Sequence, residues 1–183
     1  MKLAVIFPGV GYQADKPLLY YSKKIAASCG YEILTLTFTN FPSNIKGSSD
    51  KMKQAFDAAM LQAEHLLERV DFDQYDSLLF ISKSIGTVVA AAYARQHELK
   101  TNNVFYTPVE EFFTLIGQRG IVFHGTKDPW AETAVVERGC KRKDLPLYII
   151  EDANHSLETG DVLEDVKNLR KIMKLTEDYI EEL

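Results

Sequence analysis

The chain has 183 residues, 46% apolar and 26% charged, which suits a folded domain with a sizeable core and excludes intrinsic disorder. The net charge is −5 and the compact basic runs are Lys23–Lys24 and Lys141–Arg142–Lys143, so no basic face for nucleic acid is expected. The two cysteines, Cys29 and Cys140, lie far apart outside any CxxC, so no disulfide framework, zinc site or other metal is expected.

The first apolar run, "LAVIF" from Leu3, is too short for a signal-peptide core or a membrane span, and it reads as a strand. A cytoplasmic protein is expected. Pro8–Gly9–Val10–Gly11 follows the strand, and Pro17 suits the first turn of a helix. "EILTLTF" from Glu32 is the second strand. Ser49–Asp50 then caps a helix whose apolar face runs through Met52, Phe56, Ala59, Met60, Ala63, Leu67 and Val70. The third strand, "SLLFIS" from Ser77, passes into the helical "IGTVVAAAYARQ" within about two residues. "NVFYT" from Asn103, "GIVFH" from Gly120 and "LPLYII" from Leu145 are the last three strands. Gly160–Asp161 caps a closing helix with Val162, Val166, Leu169, Met173 and Ile180 on one face.

These β-rich runs are nearly continuous in apolar residues rather than alternating, as in strands buried on both faces of a parallel sheet. The expected fold class is α/β: a doubly wound, mainly parallel six-stranded sheet with helices on both faces, in one domain spanning residues 1–183. Such sheets place their chemistry at the carboxyl ends of the strands. There the third strand offers Lys83–Ser84–Ile85–Gly86, the fifth Gly125–Thr126–Lys127–Asp128, and the sixth Asp152–Ala153–Asn154–His155.

A serine hydroxyl needs a base to take its proton, and the base needs an acid to orient its ring. A tight strand-to-helix turn lifts such a serine clear and requires small flanking residues, here Ser82 and Gly86. On these residues the sequence resembles the α/β-hydrolase superfamily, with "SKSIG" at the place of its G-x-S-x-G elbow. "HGTKDPW" resembles its acid loop and "ANHSLE" its histidine loop, in the matching order Ser84, Asp128, His155. The resemblance covers essentially the whole chain and implies Ser84 as nucleophile, His155 as base and Asp128 as the orienting acid.

It also implies an oxyanion hole from the backbone N–H groups of Val10 and Ile85, although Gly9 or Gly11 serves equally after a shift of one residue. Ser82 stands where the superfamily has its first glycine, and Pro8 where many members have a histidine. Roughly a dozen residues join the fourth and fifth strands, where a lid usually sits, which implies a small member without a cap domain. An open cleft favouring short or compact acyl groups follows.

The expected activity is hydrolysis of a carboxylic ester or thioester through an acyl-enzyme, on a small-molecule acyl substrate and without a cofactor. An amidase or peptidase with the same residues, and a binding module that kept the fold without turnover, stay open. Tyr12, Phe41, Tyr106, Pro108 and Trp130 lie in or beside strand-end loops and are candidates for pocket walls or for packing. His65 and His97 are expected on solvated helix faces, and His124 in a structural role. Lys83, one residue from Ser84, is expected to point elsewhere. Gly9, Gly11 and Ala14 also fit a dinucleotide fingerprint, but the second strand ends in Thr39–Asn40 without the carboxylate that would hold a ribose.

Overall fold

The computed structural model describes residues 1–117 and 119–183. Six strands form a single sheet: β1 (Lys2–Phe7), β2 (Glu32–Thr35), β3 (Ser77–Lys83), β4 (Asn102–Tyr106), β5 (Arg119–Gly125) and β6 (Leu147–Ile150). All pairings are parallel, in the order β2-β1-β3-β4-β5-β6. The helices are α1 (Pro17–Ser28), α2 (Ser49–Leu67), α3 (Ile85–Gln96), α4 (Phe112–Leu115), α5 (Thr133–Lys143) and α6 (Val162–Glu181).

Side-chain alternation along each strand divides the core into two faces. Ala4, Ile6, Leu79, Ile81, Val104 and Phe123 face α1 and α6, where they meet Leu18, Leu19, Ile172 and Ile180. Leu3, Val5, Phe7 and Phe80 face the other way, against Ala59 and Ala63 of α2 and Val89, Ala90 and Tyr93 of α3. Phe105 and Val122 continue that second layer under Phe112 and Phe113 of α4 and Val136 and Cys140 of α5. The central strands are therefore buried on both sides, which explains their unbroken apolar runs.

Strand order reverses between β1 and β3, so a crevice opens beyond the carboxyl ends of these two neighbours. The β1 end is followed by Pro8–Tyr12, and the β3 end by Ser84. The β4–β5 connection holds the short α4 and no lid among its described residues.

Several local expectations shift. β2 ends at Thr35, the Leu36 N–H making a last bond to Ile6 O at 3.0 Å, and Leu36 and Phe38 are buried in the α2–α3 layer. The cap of α2 is Ser48, whose hydroxyl accepts from the Lys51 N–H at 3.3 Å. Asp161 caps α6, accepting from the Leu163 and Glu164 N–H groups. Val162 and Val166, expected on the packed face of α6, are 74% and 60% exposed. The first turns of this 20-residue helix stand beyond the layer that Ile172, Thr176 and Ile180 bury. No helix among the described residues is long and apolar enough to cross a membrane.

Candidate active site

Ser84 sits between β3 and α3 with φ 56° and ψ −127°, a backbone conformation sparsely populated for any residue with a side chain. The turn is held on both sides. The Ser84 N–H donates to Tyr106 O at 3.0 Å, and Ser84 O accepts from the Thr87 N–H and hydroxyl at 2.9 and 2.6 Å. Ser84 is half-buried while Ser82 and Lys83 before it and Ile85 and Gly86 after it are buried, so the corner presents one hydroxyl to the crevice. Gly86 is required there. A Cβ on it would lie 2.5 Å from Pro8 O and nearer still to Phe7 O, both backbone atoms.

The chain then brings two distant loops to that hydroxyl. After β5, Asp128 N–H closes a turn onto Gly125 O at 3.0 Å, and the Asp128 carboxylate is buried, with Oδ1 accepting from the Trp130 N–H at 2.8 Å. After β6, Asn154 organises the next loop: its Oδ1 accepts from the Ser156 N–H at 2.7 Å, and its own N–H donates to Glu158 O at 2.9 Å. The two loops are stitched together, Lys127 N–H to Ala153 O at 2.9 Å and Asp152 N–H to Thr126 Oγ1 at 2.8 Å. Gly125 makes that seam possible, because a Cβ there would lie within 2.8 Å of Ala153 C and Asn154 O.

The result is a continuous hydrogen-bonded line. His155 Nε2 is 2.7 Å from Ser84 Oγ, and His155 Nδ1 is 2.9 and 2.8 Å from Asp128 Oδ1 and Oδ2. Burial lowers the His155 pKa below its ordinary value; the Asp128 hydrogen bond opposes this and the nearby Lys83 charge adds to it. The imidazole is therefore held neutral at neutral pH, with Nδ1–H turned to the carboxylate and Nε2 free to accept.

Beside Ser84, the segment after β1 folds into a tight turn in which Gly9 N–H donates to Tyr12 O at 3.1 Å and Tyr12 N–H to Gly9 O at 3.3 Å. The turn lies against the serine, since a Cβ on Gly9 would stand 3.1 Å from Ser84 Cβ. Gly9 N–H is thus engaged, whereas Val10 N–H, Gly11 N–H and the Ile85 N–H at the start of α3 have no partner among the described residues.

Of the aromatic and proline candidates, Trp130 and Phe41 reach this neighbourhood. The Trp130 ring lies 5.5 Å from the His155 ring, and both Trp130 and Phe41 pack around Ile45 and Ile85. A cavity of about 350 Å³ opens next to Ile85, lined by Met52, Phe56, Val88, Val109 and Leu115. Tyr106 does not border it: the residue is fully buried, and its hydroxyl lies between Ser22 at 2.8 Å and Thr176 at 2.7 Å in the α1–α6 layer. It is a core residue because its strand position points to that face. Pro108 is buried and absent from the cavity lining. Tyr12 lines a different cavity of about 310 Å³ with Leu18, Leu157 and Val166, its hydroxyl accepting from the Leu18 N–H at 3.1 Å.

His65 lies exposed on α2 and His97 exposed just past the end of α3, against Glu64 at 2.9 Å. His124 is buried with Nε2 3.1 Å from the Thr133 hydroxyl and Nδ1 3.9 Å from Asp128 Oδ2, beneath the line rather than in it. Two residues near the line were not among the site candidates, Lys83 because it was expected to point elsewhere. Lys83 is fully buried, with Nζ 2.6 Å from both Thr107 Oγ1 and the His155 carbonyl. Thr107 itself has φ 42°, rare for a β-branched residue. The bare fact of a lysine at a buried strand end was the available signal.

No family model matches the sequence, and no curated protein matches it either. Solved structures do resemble it. The esterase Est1E from Butyrivibrio proteoclasticus, solved with ferulic acid bound, is 11% identical, with a TM-score of 0.71 over 100% of this chain and 89% of its own. The Pyrococcus furiosus esterase Pf2001 is 12% identical, TM-score 0.68, over 99% and 83%. XC6422 from Xanthomonas campestris, an α/β serine hydrolase without a lid, is 12% identical, TM-score 0.66, over 99% and 81%. The fold of the chain is the α/β-hydrolase fold in its capless form.

Proposed function

We propose that the protein is a serine hydrolase that cleaves a carboxylic ester or thioester of a small molecule through an acyl-enzyme. The observation that carries this reading is the line Asp128–His155–Ser84, with contacts of 2.8 and 2.7 Å, at the strained corner between β3 and α3. In the first half-reaction, Ser84 Oγ attacks the acyl carbonyl while His155 Nε2 takes its proton. The tetrahedral intermediate collapses as the bond to the leaving oxygen or sulfur breaks, and His155 returns the proton to that alcohol or thiol. Water, deprotonated by the same Nε2, then attacks the acyl-serine and releases the acid.

Asp128 keeps His155 in the tautomer with Nδ1–H bound, and stabilises the imidazolium that forms in each half-reaction. Val10 N–H and Ile85 N–H bind the developing oxyanion; the engagement of Gly9 N–H with Tyr12 O supports Val10 over Gly9 in this role. The apolar cavity beside Ile85 supports an acyl group as the part of the substrate held there. Free cysteines at positions 29 and 140 support a reducing, cytoplasmic setting. The test is labelling with a fluorophosphonate followed by mass analysis. One adduct on Ser84, absent from Ser84→Ala, is expected; no adduct, or an adduct elsewhere, overturns the reading and favours a module without turnover.

A further inference from the structure

We infer that Lys83 is a positioning residue for the proposed reaction: its ammonium ties the main chain of His155 to the strand end that carries Ser84, and so holds the imidazole in line with the hydroxyl. The inference rests on the reading of Ser84 and His155 given above.

A lysine at this place is costly. It is 1% exposed, and an ammonium leaves water at a large penalty unless its donors are satisfied and its charge is balanced. Here the donors are accounted for. Nζ donates to Thr107 Oγ1 and to His155 O, each at 2.6 Å, and stands over the Tyr12 ring 4.9 Å from its centroid. The Thr107 hydroxyl, accepting from Lys83, donates in turn to His155 O at 3.1 Å. The three groups close a triangle in which the His155 carbonyl receives two hydrogen bonds from the ends of two different strands, β3 and β4.

That arrangement fixes what the rest of the loop leaves free. The Asn154 turn shapes the loop internally, and the carboxylate holds one side of the ring. Neither these nor the seam between the β5 and β6 loops ties the backbone of His155 directly to β3. Consecutive residues do: Ser84 meets the ring through Nε2, and Lys83 meets the carbonyl of the same histidine. A shift of the loop of about 1 Å lengthens the Ser84–His155 contact and costs on the order of a hundredfold in rate. Thr107 places its hydroxyl in the triangle from a backbone with positive φ.

The charge has a second consequence. Asp128 and Glu158 stabilise the Lys83 ammonium, while burial pushes its pKa down to about 7. The Lys83 charge lies close to His155 and opposes protonation of its ring. The groups facing that imidazole are Asp128, which favours its protonation, and Lys83 and His124, which oppose it. Removing the ammonium therefore shifts the balance toward protonated His155.

The experiment is Lys83→Met, which keeps the length and apolar stem of the side chain and removes the donor and the charge. Two quantities are read on the full chain: kcat and KM for p-nitrophenyl acetate, and the His155 midpoint by NMR titration, its signal assigned by loss in His155→Gln. Expected are a kcat lower by on the order of tenfold to a hundredfold, a KM within about twofold, and a higher midpoint. A folded Lys83→Met with wild-type kcat, or with the wild-type midpoint, overturns the inference. Should that variant not fold, Thr107→Val decides on kcat: a loss supports the inference and a wild-type value overturns it. Failure of the hydrolase reading is separately visible, as equal turnover by wild type and Ser84→Ala, and the NMR midpoint does not depend on turnover.

Discussion

Replacing Gly86 with alanine should damage stability and turnover together, because the added methyl meets the backbone that frames the proposed oxyanion hole. Its Cβ would lie 2.5 Å from Pro8 O, about 0.5 Å inside the 3.0 Å that real Cβ atoms keep, and closer still to Phe7 O. Both obstacles are main-chain carbonyls, so no side chain can swing away; the β1 end or the start of α3 has to move. Forcing a methyl into such a site costs about 1–3 kcal/mol. For a chain of this size that lowers the thermal midpoint by roughly 2–12 °C. The segment displaced is the one leading into Val10, so kcat should fall by on the order of tenfold to a hundredfold. Gly117→Ala is the control, since no described residue beyond its chain neighbours stands within 4 Å of the Cβ it would gain. Thermal unfolding by circular dichroism and p-nitrophenyl acetate hydrolysis measure both effects. Gly86→Ala and Gly117→Ala with equal midpoints and equal kcat would refute the steric argument.

Ser84→Ala should lose turnover by on the order of 10⁴-fold or more with its unfolding midpoint kept, whereas Ser82→Ala, whose hydroxyl makes only a 3.4 Å contact to Val104 O, should lose far less; the reverse order in an esterase assay would relocate the nucleophile. Asp128→Asn should cut kcat by a factor approaching 10⁴, because the amide favours the wrong tautomer of His155; kcat within tenfold of wild type would remove Asp128 from the mechanism. In the unmutated protein, kcat/KM should rise with pH through an ionisation whose midpoint lies below about 6.5, since burial lowers the His155 pKa and only the neutral ring accepts a proton. A flat profile from pH 5 to 9 would be incompatible with a histidine base. Across p-nitrophenyl esters, kcat/KM should gain about fourfold per methylene while the cavity of about 350 Å³ fills, and then level off or fall. A steady climb to palmitate, assayed below its aggregation limit, would instead require a long tunnel.

The architecture was legible because the physics that writes it is local. Central strands buried on both faces must be apolar throughout, and the runs from Leu3, Ser77 and Gly120 lie in β1, β3 and β5 accordingly. The edges were less legible. Nothing in "EILTLTF" says that β2 ends at Thr35, because Leu36 and Phe38 are as apolar as ladder residues and are buried by α2 and α3 instead. The face of α6 misleads for a related reason. Periodicity identifies which residues point one way, but not how much of a long helix has a neighbour to cover it, and Val162 and Val166 lie where none does.

For the candidate site, chain order and strand ends picked out Ser84, Asp128 and His155, which the structure brings within hydrogen-bonding distance of one another. Pocket walls resisted because a strand-end aromatic faces the crevice or the core according to the parity of its position. Tyr106 pairs with Lys83 in the β3–β4 register, and both side chains turn to the α1–α6 face. Sequence adjacency then misleads about Lys83. Its Cβ does point away from the Ser84 hydroxyl, as alternation requires, yet a lysine stem is long enough to pass beneath the turn. Its ammonium meets the far side of His155 at the carbonyl. One strand end thereby presents two successive residues to opposite ends of the same histidine, a relation that residue spacing does not encode and only the closed loop after β6 makes possible.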